Sequence, residues 1–167
     1  PKMWEFTKQC FIKKHGAIEV NEIEVDDAVN IARLQIENSF ICAIDSDLLG
    51  LEGTHYNWKK GLWITCTKEE EITKFWKDMI TGTHNNTKGI SGRGKKYVEK
   101  LFHNIKPEDY EVIVKEEFIK HFGKEVGLIE YNKNYTCLKI LDSYEGIEFP
   151  KPIKSPDLYA ETPGMVE

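Results

Sequence analysis

Thr67-Lys68-Glu69-Glu70, followed by apolar residues at Ile72, Phe75, Trp76, Met79 and Ile80, constrains the fold of this chain more than any other stretch. A threonine hydroxyl and a carboxylate three residues later each satisfy an amide that the start of a helix leaves without a partner. The apolar positions recur at i, i+3, i+4, i+7 and i+8, which is one face of a helix. Gly82 supplies the stop. A helix over 68–81 with so heavy a face needs something to lie on. The short apolar runs Phe40 to Ile44 and Leu62 to Cys66 read as strands that can provide it. At 167 residues the chain is long enough to bury a core without staples. The expected architecture is a single α+β domain, a mixed β-sheet with packed amphipathic helices, over residues 1–148.

The other elements are read the same way. Trp4 to Lys14 fits either a strand or a helix. Asp26 and Asp27 can cap a helix whose stripe is Val29, Ala32, Ile36 and Phe40, with Ala28, Ile31 and Leu34 beside it. Leu48 to Asn57, with Gly50 and Gly53, reads as loop. A helix from about Lys95 to Asn104 buries Tyr97, Val98, Leu101, Phe102 and Ile105, and Pro107 ends it. Tyr110 to Val114 reads as a strand, followed by a short helix with Phe118, Ile119 and Phe122 inside and Gly123 as its terminator. Val126 to Tyr131 and Tyr135 to Leu141 read as a hairpin turned at Asn132-Lys133-Asn134. Residues 149–167 hold four of the six prolines and are expected to form an extended, Pro-rich linker or arm.

Composition narrows the setting. Hydrophobic content of 40% and charged content of 31% describe a folded, soluble domain. No apolar run approaches the ~20 residues that span a bilayer, so no membrane partner is expected. Cys42, Cys66 and Cys137 sit in apolar runs, and together with Cys10 they are expected to be buried, reduced thiols of an intracellular protein, cytoplasmic or nuclear. Pro1-Lys2-Met3-Trp4 reads as a cut from a longer polypeptide, whose other domains are expected partners.

Charge is concentrated in one place. From His84 to Lys106 six cations face one acid, +5 in a chain whose formal net charge is −5. The first half of that segment is rich in glycine (Gly89, Gly92, Gly94), which lets a backbone approach a ligand closely. Its second half opens a helix, where free N–H groups favour anions. The loop from Lys88 to Lys96 is therefore expected to meet phosphate through Lys88, Gly89, Gly92, Arg93, Gly94, Lys95 and Lys96. Gly89 to Lys95 also spells G-x-x-x-x-G-K. The nucleotide-binding loop of that pattern needs a buried strand before it and a hydroxyl after the lysine. Here a helix precedes it and Lys96 takes the hydroxyl position, so no nucleotide hydrolysis is inferred.

A second group interleaves rings with cations: Tyr56-Asn57-Trp58-Lys59-Lys60-Gly61-Leu62-Trp63. Flat rings stack on bases and lysines hold the backbone. Tyr56 and Trp58 are assigned to a loop facing the ligand, with Lys59 and Lys60, whereas Trp63 is assigned to the core. The leading reading is a nucleic-acid-binding domain, for DNA or RNA, that targets a larger protein and needs no cofactor. One alternative is a nuclease with magnesium held by Asp45 and Asp47, aided by His55 or Glu52, since carboxylates after a buried strand suit a hard cation. Turn formation is the plainer role for such a pair. The other alternative is a protein-interaction module whose basic loop docks an acidic partner.

Overall fold

The computed structural model describes residues 2–83, 87–145 and Phe149. Among them six α-helices and three strands follow in the order α1 (Lys2–His15), α2 (Val25–Gln35), β1 (Ile41–Ala43), β2 (Gly53–Asn57), β3 (Leu62–Cys66), α3 (Lys68–Thr81), α4 (Lys95–Leu101), α5 (Tyr110–Phe122) and α6 (Lys124–Leu138). The sheet is mixed, as expected: β1 runs parallel to β2 and β2 antiparallel to β3. This is an α+β fold. The Pro-rich arm lies outside the described residues, apart from Phe149, whose amide donates to Gln35 Oε1.

The capping box forms in full. Thr67 Oγ1 accepts from the Glu70 amide at 3.2 Å, and the Glu70 carboxylate accepts from the Thr67 amide at 2.8 Å. Trp76, Met79 and Ile80 are buried, and Gly82 closes the helix at φ 72°. Around this face lies the main core, formed with Ile90, Val98, Phe102, Tyr110, Val114, Phe118 and Tyr131. A smaller core of Ile41, Ala43, Leu48 and Leu51 lies under the sheet, with Val29 and Ile140 packed against it.

Several expectations are corrected. Tyr110 to Val114 is the first part of α5, not a strand. Val112 and Ile113 disguise the period, but Tyr110, Val114, Glu117 and Phe118 are the buried set, at helical spacing. Residues 126–141 form no hairpin. Asn132-Lys133-Asn134 lies inside α6, where Asn134 is buried and its Nδ2 donates to the Glu130 carbonyl one turn back. Gly127 lets α6 approach α5 closely, since a Cβ there would lie 2.7 Å from Ile119 Cα. Leu48 to Asn57 is a 3₁₀ turn, Leu48–Gly50, followed by β2 rather than a continuous loop. Trp4 to Lys14 resolves as helix. The buried set of α2 is Ala28, Asn30 and Ile31, and Phe40 lies beyond its end. Buried Asn30 donates to the Leu141 carbonyl and Asp142, while Asp27 accepts from the Leu141 amide, which makes a polar latch. The latch ties α2 to the chain leaving α6. Finally, Cys42 and Cys137 are exposed and Cys10 and Cys66 half-buried, so these thiols are not core groups.

Candidate nucleic-acid interface

Side chains alternate across a strand, so register decides which of them share a face. Ile41, Ala43, His55 and Asn57 point into the small core and are buried. Cys42, Tyr56 and Trp63 are paired across the three strands and point the other way. Trp63 is 61% exposed, Trp58 57% and Phe40 51%, so among the described residues no helix covers these rings. The rings support one another. Trp63 lies 5.0 Å from Tyr56 and 4.9 Å, edge on, from Phe40. The assignment of Trp63 to the core is thus corrected: Ile64 turns inward, and its neighbours in sequence turn outward. Tyr56 belongs to β2 rather than to a loop. Trp58, Lys59 and Lys60 occupy the turn into β3, fastened by the Lys60 amide donating to Asn57 Oδ1 at 3.0 Å, and both lysines are exposed.

The glycine loop divides into a buried and an exposed part. Gly89 is buried at φ 59°, and a Cβ on it would fall 2.3 Å from the Gly82 nitrogen and 2.4 Å from the Ile80 carbonyl. Its role is the crossing of two backbones, which the Ile90 amide seals by donating to the Ile80 carbonyl at 2.7 Å. Gly92 has open space around it and φ 77°, and Gly94 is the N-cap of α4. Arg93 turns inward. Its guanidinium lies 4.1 Å above the Tyr97 ring, and its Nε is 3.6 Å from the Glu117 carboxylate. Tyr97 donates to that same carboxylate, and this hydrogen bond lifts the Tyr97 hydroxyl above its ordinary pKa, with burial adding. Gly89 therefore holds the loop on the end of α3 and Arg93 holds it on α5, rather than presenting it. Lys88, Lys95 and Lys96 are exposed, and among the described residues they form no ion pair.

Asp45, Asp47, Glu52 and His55 do not assemble a metal centre. Asp45 Oδ1 accepts from the Asp47 amide at 2.8 Å, which is the turn-forming use of an aspartate. Asp47 pairs with Lys74 at 3.0 Å, and Lys74 also holds Asp78 at 2.9 Å. His55 is fully enclosed, with Nε2 2.7 Å from the Leu51 carbonyl. Among the described residues no three His, Cys, Asp or Glu converge in a metal-binding group. Nor is any helix among them long and apolar enough to cross a membrane. No protein-family model, curated protein or solved structure matches this chain.

The sequence argument missed Phe40 and Trp63 as surface groups. The signal was present in the alternation: Ile64 and Cys66 are half-buried while Trp63 and Thr65 are exposed.

Proposed function

We propose that this domain binds nucleic acid on the uncovered face of its sheet and so targets a larger protein. One observation carries the reading: half-buried Tyr56 and exposed Trp63 stand side by side in register on one sheet face, and the turn joining their strands presents Lys59 and Lys60. Base–ring stacking contributes ~1–3 kcal/mol per base and tolerates any sequence, because every base has a π-face. The lysines supply the complementary charge for the backbone. Lys88, Lys95 and Lys96 form a second cationic patch for a longer strand, without the buried Gly89 and the engaged Arg93.

Fluorescence anisotropy with labelled single- and double-stranded DNA and RNA at two salt concentrations tests this. Trp63→Ala should weaken binding roughly tenfold, the equivalent of one stacked base at ~1.4 kcal/mol. Lys59→Ala with Lys60→Ala should flatten the salt dependence, by ~0.7 in log–log slope per lost contact on a single strand. Absence of binding to every oligonucleotide by folded wild-type protein would refute the proposal.

A further inference from the structure

Among the described residues no other element packs extensively against helix α1, and its hydrogen bonds and ring contacts fall between residues 3 and 19. Met3 is 80% exposed, Trp4 72%, Phe6 73% and Phe11 55%. At 100° per residue these four occupy roughly half of the helix circumference. An isolated helix of 14 residues is marginal in water, and helices of folded proteins take their stability from burying such a face. Among the described residues one side of the sheet is likewise exposed, at Cys42, Thr54, Trp63 and Thr65. A helix laid across a sheet is one of the few ways that either surface is buried.

We propose that α1 is an exchanged arm: the α1 of one copy packs across the Phe40–Trp63–Tyr56 face of a second copy, and the exchange is reciprocal. Charge favours the pairing. Lys2, Lys8, Lys13 and Lys14 against Glu5 give α1 +3, and the rest of the chain carries −8. Exposed Glu37 and Glu52 precede β1 and β2, at the end of the ring-bearing face opposite the Lys59–Lys60 turn. The connector favours a second copy over the same one. The Ala17 amide donates to the Phe11 carbonyl and Lys8 pairs with Glu19, so residues 17–19 fold back along α1. The connector then enters α2, whose Val29 packs with the small core on the opposite side of the sheet. Only residues 20–24 then link the folded-back connector to α2, a short tether for an arm that would have to round the edge of its own sheet. Two arms and two faces make a closed twofold assembly. Nucleic acid and the arm then compete for the same rings, a consequence that rests on the function proposed above.

Sedimentation of the full chain over a range of concentrations tests the arm. Wild type should pass from monomer to dimer. Trp4→Ala, Phe6→Ala and Phe11→Ala together keep a helix-forming sequence and should leave a monomer with the same core, as should Trp63→Ala. A wild type that stays monomeric throughout, or a triple variant that dimerises as before, overturns the proposal. At dimer-forming concentrations the triple variant should bind a single-stranded oligonucleotide severalfold more tightly than wild type. Equal affinity would overturn the shared face. A wild type that dimerises through α1 but binds no oligonucleotide would support the arm and refute the nucleic-acid function.

Discussion

At the scale of single residues, position relative to the two cores separates groups of the same type. Trp76 lies in the main core, edge on to Phe75, while Trp63 stands in solvent. Trp76→Ala should cost ~3–5 kcal/mol and unfold the domain at modest denaturant. Trp63→Ala should leave the monomer's denaturation midpoint close to wild type. Equal losses in the two variants would show that the sheet face is not bare. The glycines separate in the same way. Gly92→Ala meets only the penalty of a left-handed backbone, about 1 kcal/mol. Gly89→Ala adds the collision with Gly82 and Ile80, so thermal denaturation should show a loss of at least about 3 kcal/mol. The sequence announced three glycines of one kind. It gave no sign that Gly89 meets backbone 7 residues earlier, because such a crossing is fixed by tertiary approach and not by local preference.

At the scale of elements, α3 was legible because cap, stripe and stop all agree within sixteen residues, and β1 and β3 were legible as apolar runs. The helices α5 and α6 were not. Their β-branched and aromatic residues favour strands locally, and only packing against α3 and each other selects the helical period. The capping box makes a testable pH statement. Thr67's amide and hydroxyl hold the Glu70 carboxyl below its ordinary pKa of 4.5. Its contribution is full above that value and is lost as pH falls through the lowered one. Comparing wild type with Glu70→Gln by thermal melting, the gap should be constant near neutrality and close in acid. A gap that widens in acid would show that the assignment is wrong. Thr67→Ala should cost ~1 kcal/mol at pH 7.

At the scale of the whole molecule, two cores of unequal size are joined by the latch at Asn30 and by a clasp at Lys74. Lys74 lies over Gly50, its ammonium between Asp47 and Asp78, so the turn before β2 is fixed to α3. Burial pulls that ammonium's pKa down, and the hydrogen bonds to Asp78 and Asp47 outweigh it, leaving it above its ordinary value. Unequal cores imply unequal local stability. In hydrogen exchange the amides of Met79, Ile80, Val114 and Phe118 should be slowest, those of β1 to β3 intermediate, and those of α1 fastest in dilute monomer. Uniform protection would contradict two separate cores. The functional site was only half legible at this scale. Rings and lysines were visible in the string of residues, but the face that unites Phe40 with Trp63 exists only once three strands align. That alignment also leaves Cys42 exposed beside Tyr56, while Cys137 is exposed on α6 rather than on the sheet. The protein thus carries a chemical footprinting pair of its own. Alkylation of Cys42 should slow whenever the face is occupied, alkylation of Cys137 should not, and their ratio measures occupancy without any label.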